Sequence, residues 1–114
     1  MSKIISLKLK KNGKLDSKGY LVEGKLNGFH ENYYSNGIKV SEGNYKNGEK
    51  HGVWFYYAEN GTLSSLTTYS DGKKEGLREA YYTGSDDKDL EKREFFVNGK
   101  RHGPWNRYYD ESDD

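Results

Sequence analysis

The chain contains no cysteine and a single proline, Pro104, in 114 residues. Without cysteine it has neither disulfide bonds nor a thiolate metal site, as is usual for proteins of a reducing cytosol. Aliphatic side chains are scarce as well, because leucine, isoleucine, valine and phenylalanine together number only 20. No apolar run is long enough for a signal peptide or a membrane span, and we therefore expect a cytoplasmic protein.

So few aliphatic residues would be typical of disorder in a strongly charged chain, but the formal net charge is only +1. Eleven tyrosines and two tryptophans supply apolar surface instead. Aromatic side chains bury a large area each, and tyrosine keeps a hydroxyl group that can stay hydrated. This composition favours one small domain, residues 1–114, with a thin core built on a single sheet.

Four segments repeat one pattern, in which a glycine is followed a few residues later by a pair of tyrosines. The segments begin at Gly28, Gly52, Gly76 and Gly103, in steps of 24, 24 and 27 residues. Three extra residues in the stretch 84–90 account for the longer last step. A repeat of this length indicates one supersecondary unit stacked on copies of itself. The predicted units are residues 4–27, 28–51, 52–75, 76–102 and 103–114.

Each unit is predicted to be a β-hairpin. Residues 53–57 and 63–69 are rich in aromatic and β-branched side chains, and the Asn60-Gly61 pair between them is a strong hairpin signal. A three-residue loop that ends in a glycine bulge pairs Tyr57 with Leu63. This register predicts one shared face for Phe29, Tyr33, Tyr45, Val53, Tyr57, Leu63, Tyr69, Leu77, Tyr81, Leu90 and Phe96.

The predicted fold class is therefore all-β: an elongated, single, twisted antiparallel sheet of stacked β-hairpins with a solenoid-like repeat. The opposite face varies from unit to unit, as a surface for an irregular partner would, and Trp, Tyr and Arg dominate binding energy at interfaces. The alternative is that its aromatic residues form a second packed face or lie under the N-terminal segment. The predicted partner-binding residues on this face are Tyr34, Trp54, Tyr56, Arg78, Tyr82, Trp105, Arg107 and Tyr109.

Charge is uneven along the chain, with +5 over residues 1–27 and −3 over residues 103–114. The interpretation that we favour is that a charged first strand and a charged last segment keep the sheet edges from pairing with other chains. The alternative is a basic cap for an acidic partner together with an acidic tail that mimics nucleic acid. In that case the tail also contacts the partner, through Asp110, Glu111, Asp113 and Asp114.

Catalytic groups are not predicted, and neither are a cofactor or a metal site. His51 and His102 occupy the same position in units that lie four strands apart, which is about 19 Å at about 4.8 Å per strand. That distance is too long for an acid and a base to share one reacting group. The acidic stretch 86–89 lacks the glycine and the closing glutamate of a calcium loop. Nucleic acid is not expected as a partner either, because the middle of the chain is slightly acidic.

Two segments carry a resemblance to a known family. The runs Asn47-Gly-Glu-Lys-His-Gly-Val-Trp54 and Asn98-Gly-Lys-Arg-His-Gly-Pro-Trp105 resemble the bacterial variant of the MORN (membrane occupation and recognition nexus) repeat. The resemblance covers residues 24–109 and departs from the family in the first unit and near Asp86. It implies an elongated array of antiparallel hairpins. It also implies a role, because small bacterial proteins of this type are similar to YwqK-type antitoxins.

The resulting functional hypothesis is an antitoxin or immunity protein that binds a cognate toxin and blocks its active site or substrate groove. The toxin would be, for example, a nuclease or deaminase domain, and an acidic tail would then enter a basic nuclease cleft. The alternative hypothesis is a structural or adaptor module. Such a module would bind another protein, or anionic lipid through Lys8, Lys10, Lys11 and Lys14, or it would associate with itself through its open sheet ends.

Overall fold

The computed structural model describes residues 4–10, 12–81 and 90–102, and the backbone of 106–107. The described residues form one open, elongated antiparallel sheet, which confirms the predicted fold class. The sheet follows chain order, except that the short strands β3 and β11 pair with β2 and β9. The strands are β1 Ile4–Leu9, β2 Leu15–Val22, β3 Lys25–Leu26, β4 Gly28–Tyr33, β5 Lys39–Lys46, β6 Glu49–Tyr57, β7 Leu63–Ser70, β8 Lys73–Tyr81, β9 Leu90–Val97, β10 Lys100–Arg101 and β11 Asn106–Arg107.

Three-residue loops join β1 to β2, β4 to β5 and β6 to β7. In the last of these, Gly61 has a φ of 89° and donates its N–H to the carbonyl of Ala58 at 2.9 Å. The strands on either side bring Tyr57 opposite Leu63. The same backbone bonds recur at residues 34–38. The predicted three-residue loop that ends in a glycine bulge is thus confirmed.

Two-residue turns join β2 to β3, β5 to β6, β7 to β8 and β9 to β10. Both central residues of each turn have a positive φ, near 50° and then near 80°, which is the backbone of a type I′ turn. This conformation explains the Asn-Gly and Asp-Gly sequences, because few other residues adopt a positive φ without strain. The central pairs are Glu23-Gly24, Asn47-Gly48, Asp71-Gly72 and Asn98-Gly99.

The last three of these turns also bond to the unit before them. Gly48 donates its N–H to the carbonyl of Leu26 at 2.8 Å, and Gly72 donates to Lys50 at 2.9 Å. Gly99 bonds in the same way to Lys74. These three turns therefore stack in a row along one margin of the sheet.

A bulge in every hairpin decides which side chains share a face. Tyr56 pairs with Ser65 and Tyr57 with Leu63, so Ser64 has no partner across the ladder. Beyond the bulge the alternation is reversed, and Tyr69 comes opposite Gly52. Tyr69 therefore lies on the face opposite to Tyr57, and the prediction that the two share a face is wrong.

The same reversal moves Tyr45 and Phe96, which pair with Gly28 and Gly76. We call the side that carries these residues and Trp54 the inner face, and the side that carries Tyr57 the outer face. All described residues that are buried lie on the inner face, and the core of the protein is therefore there. They are Gly19, His30, Ser41, Gly43, Trp54, Thr67, Glu94 and Phe96.

Two glycines of the inner face make room for large neighbours. A Cβ atom added at Gly43 would lie 2.3 Å from the Trp54 indole, and one added at Gly19 would lie 2.2 Å from the His30 ring. His30 and Trp54 stand 24 residues apart, as do the two glycines. His30 on β4 thus covers the backbone of β2 at Gly19, and Trp54 on β6 covers the backbone of β5 at Gly43.

The two ends of the sheet differ. β1 contains one charged residue, Lys8, and its four apolar side chains are 60–66 % exposed. The prediction that a charged first strand protects this edge is therefore wrong, because the remaining lysines of the segment lie outside the strand. At the other end, β10 and β11 have two residues each and carry Lys100, Arg101 and Arg107. Short and charged strands of this kind discourage edge pairing.

Replacing Gly43 by alanine should destabilise the fold by about 1–3 kcal/mol, because the new methyl group overlaps the Trp54 indole. Urea denaturation followed by circular dichroism measures the loss. The matched control is Asn44→Ala, at the next and exposed position of the same strand, which should stay within about 0.5 kcal/mol of the parent. Equal stability of Gly43→Ala and the parent would contradict this packing.

Candidate binding surface

Trp54, the central residue of the predicted binding patch, lies on the inner face and is not accessible. Trp54 has no exposed surface, and it is the largest fully buried side chain among the described residues. A partner cannot contact it without unfolding the sheet locally. The proposed role of Trp54 in partner binding is therefore wrong, and the alternative of a second packed face is correct for this residue.

The rings of the inner face form a continuous stack around Trp54. Tyr45 stands edge-on between His30 and Trp54, with ring centroids 5.2 and 5.1 Å apart. Tyr56 follows on the other side of the indole at 6.5 Å. The indole N–H is also satisfied, since Trp54 Nε1 donates to the carbonyl of Asn44 at 2.9 Å. Each aromatic pair adds about 0.5–1.5 kcal/mol beyond the area that it buries.

A lysine ammonium group completes this stack. Lys50 Nζ lies 4.9 Å from the Trp54 ring centroid, 5.4 Å from that of Tyr56 and 5.2 Å from that of Tyr69. It also donates a hydrogen bond to the Tyr56 hydroxyl at 3.1 Å. Burial raises the pKa of Tyr69 to about 12, and the hydrogen bond with Tyr56 acts in the same direction. The cage of three rings is thus filled by the protein's own cation.

Arg78, a second predicted contact residue, is held by an ion pair. Its Nη1 lies 2.9 Å from Glu94, a carboxylate that is 4 % exposed. Lys92 and Arg101 approach the same carboxylate at 3.6 and 3.3 Å. Burial opposes the ionisation of Glu94, but these three cations outweigh it and the pKa of Glu94 falls below its ordinary value. The cluster retains an excess of positive charge.

The remaining predicted contacts divide into two groups. Tyr34 is partly buried and donates its hydroxyl to the carbonyl of Tyr57 at 2.7 Å, so it ties two neighbouring loops together. The backbone of Arg107 pairs with Lys92 on β9. The other predicted residues lie outside the described part of the chain: Tyr82, Trp105, Tyr109, Asp110, Glu111, Asp113 and Asp114.

The outer face exposes the apolar side chains that the inner face does not hold. Phe29 and Val53 are each 42 % exposed, and Phe95 and Val97 are 41 % and 46 % exposed. Phe29, Val53 and the half-buried Leu77 occupy the same position in successive units, and Leu77 pairs directly with Phe95. We call Phe29, Val53, Leu77 and Phe95 the outer belt. The sequence pattern assigned Phe29, Val53 and Leu77 to a packed stripe and so missed the exposure of Phe29 and Val53.

Ion pairs border the outer belt on the same face. Lys39 lies 2.7 Å from Glu31 and 2.8 Å from Glu42, and Glu42 also accepts the hydroxyl of Tyr57. Burial, followed by this bond to Glu42, raises the pKa of Tyr57 to about 12. In a later unit, Glu79 accepts from both Arg93 and Tyr81, at 2.7 and 2.8 Å. An apolar centre with a polar border is the usual composition of a protein interface.

No group of three histidine, aspartate or glutamate side chains converges within residues 4–10, 12–81 and 90–102. In the same ranges no helix is long and apolar enough to cross a bilayer.

A comparison with models of known protein families gave no match, and a search of curated proteins gave none either. The MORN-like resemblance of the two Trp-containing segments therefore stays a prediction. The case for a function must be made from the surfaces that the fold presents, since a fold by itself does not determine one.

Replacing Lys50 by methionine should lower stability by about 1 kcal/mol, because the chain keeps its length but loses the ammonium that the three rings surround. Thermal and urea unfolding monitored by circular dichroism measure the change. Lys46→Met is the control, since Lys46 is exposed at the start of the same turn and contacts no ring of the inner face. A loss of equal size in both variants would show that the rings do not hold the charge.

His30 should make the protein less stable in mild acid. Burial lowers its pKa from 6.5, and its Nδ1 is buried without a hydrogen-bond partner. The unfolded chain therefore takes up a proton at a higher pH than the folded chain, and stability falls as the pH drops below about 6.5.

The measurement is the urea midpoint at several values between about pH 7.5 and 5.5, a window in which the carboxylates stay ionised. The variant His30→Asn should flatten the dependence on pH, whereas His51→Asn, at a side chain 42 % exposed, should keep it. An unchanged slope in His30→Asn would assign the effect to another group.

Proposed function

We propose that this protein is a toxin-neutralising immunity protein that binds its partner through the outer face of the sheet. The observation that carries the proposal is the outer belt, a row of exposed apolar side chains repeated at one position of successive hairpins. Soluble proteins seldom expose contiguous apolar surface unless it contacts another molecule. The resemblance to small bacterial antitoxins supplies the class of partner, a cognate protein toxin.

The dimensions of the outer belt suit a protein partner. Phe29 on β4 and Leu77 on β8 are separated by four strand spacings, which is roughly 19 Å, and Phe95 extends the row by one more strand. A standard interface covers about 800 Å² on each partner, a patch of comparable width. Apolar side chains along the belt and ion pairs at its border reproduce the arrangement in which a few residues carry most of the binding energy.

Charge at the border favours a defined orientation of the partner. Glu31, Lys39 and Glu42 are already paired with one another, and so are Glu79 and Arg93. A partner that covers the outer belt therefore contacts alternating acidic and basic groups. These contacts determine how the partner is aligned on the sheet more than they add to its affinity. Occlusion of a toxin's substrate groove requires this kind of rigid, pre-formed surface.

The alternative of an adaptor for anionic lipid has weaker support in the same structure. Two of the lysines that would contact lipid headgroups have intramolecular partners. Lys10 Nζ lies 2.6 Å from Asp16, and Lys14 Nζ lies 3.5 Å from the carbonyl of Ser35. Asp16 offsets the charge of Lys10, and the bond to Ser35 occupies one donor of Lys14 without changing its charge.

The double variant Val53→Glu, Phe95→Glu should bind the toxin at least about a hundredfold more weakly, because two carboxylates would be buried at the centre of the contact. The partner is first isolated with the tagged protein from its own cell, and the dissociation constant is then measured by calorimetry. Inhibition of toxin activity and rescue of growth give a second readout. The variant should fold normally, since both side chains are more than 40 % exposed.

Ser35→Glu, at an exposed loop tip, is the control and should bind like the parent. Full binding by the double variant would place the contact elsewhere. If the copurified protein has no toxic activity, the immunity role is rejected. The same variants then still test whether that protein binds through the outer belt.

A further inference from the structure

The first strand leaves one side of its backbone open. Among the described residues β1 pairs with β2 alone, from Ile4 opposite Leu21 to Leu9 opposite Leu15. Ile4, Ile5, Leu7 and Leu9 are 60–66 % exposed, the highest values among the large apolar side chains that the structure describes. A long, apolar edge strand without proline or charge clusters is a template for pairing with another strand.

We propose that two copies of this protein form a symmetric dimer in which their β1 strands pair antiparallel. The proposal is independent of the toxin-binding role. It requires no rearrangement, because the unpaired N–H and C=O groups of one edge supply partners for those of the other. The two sheets would continue into a single sheet across the dimer axis.

The strand that pairs with this edge is the β1 strand of a second copy, because the strands described at the opposite end of the sheet are too short to pair with β1. β10 and β11 are two residues long, are separated along the chain and carry Lys100, Arg101 and Arg107. Six residues of β1 cannot form a continuous ladder with them. A head-to-tail contact would also repeat without limit and give filaments, whereas a contact between two β1 strands closes after one step.

The side chains of β1 are complementary to themselves in one register. With the two-fold axis at Leu7, this residue meets its counterpart and Ile5 meets Leu9. All three lie on the outer face, since Ile5 and Leu7 come opposite Tyr20 and Lys18 on β2. On the inner face the same register places Ser6 opposite Lys8, so that the two Lys8 ammonium groups do not face each other. Direct apolar cross-strand pairs of this kind stabilise antiparallel ladders.

The dimer has a consequence for the outer face. On the outer face, Ile5 of β1 is followed by Tyr20 on β2 and then by Phe29 on β4. The exposed apolar residues of β1 therefore continue the outer belt towards the edge of the sheet. Pairing of two β1 strands would bring the outer belts of both copies onto one surface related by the two-fold axis. A partner with two-fold symmetry, or two copies of one partner, would fit that surface.

The absence of native cysteine permits a direct test by crosslinking. In the full-length variant Leu7→Cys, mild oxidation should produce a covalent dimer, because residues opposite each other in an antiparallel pair lie within disulfide distance. The control Lys100→Cys, on the short strand at the other end, should stay monomeric under the same conditions. Crosslinking through Lys100→Cys but not through Leu7→Cys would overturn the proposal.

Sedimentation equilibrium of the unmodified chain gives an independent measurement. The parent should sediment as a dimer, and the double variant Ile5→Lys, Leu7→Lys should raise the dimer dissociation constant at least tenfold, with its sheet content unchanged by circular dichroism. Val97→Lys, at a side chain of similar exposure on β9, should leave the dimer intact. A parent that is monomeric throughout, or a dimer insensitive to the β1 substitutions, would reject the pairing.

Discussion

The packing of Trp54 over the bare backbone of Gly43 is the contact on which the rest of the structure depends. A single sheet has no second layer, so one face must cover itself, and it does so by laying large rings over glycines of the neighbouring hairpin. Tyr45, Tyr56 and Lys50 then close around the indole. The core of this protein is thus a line of contacts between consecutive units, as in other repeat proteins.

Burial of one face determines the character of the other. Because the bulges move Tyr45, Tyr69 and Phe96 to the inner face, the outer face keeps Phe29, Val53 and Phe95 exposed. The exposed apolar row follows directly from the register. It recurs at one position of the described units that begin at Gly28, Gly52 and Gly76, and its side chains can vary there without disturbing the inner stack.

The repeat length, the hairpins and the three-residue loop at Glu59–Gly61 could be predicted from the sequence, because each depends on local turn chemistry and spacing. The assignment of faces was only partly predictable. Simple alternation of side chains along the strands correctly places Leu63 on the face of Tyr57, but it places Tyr69 on the wrong face. The cause is the bulge at Ser64, which no distinctive residue type marks in the sequence. The sequence does contain one signal for this packing, because Gly19 and Gly43 each stand 11 residues before the ring that covers their backbone, His30 and Trp54.

The row of type I′ turns has an evolutionary consequence. Along that margin the turns at Gly48, Gly72 and Gly99 each donate a glycine N–H to the preceding unit, and a longer connection there would break the row. The three-residue insertion of the fourth unit falls instead in the connection between β8 and β9, at the opposite margin. New sequence can therefore be accepted on one side only, and diversification of this protein among relatives should concentrate in the loops of that side while the other stays constant in length.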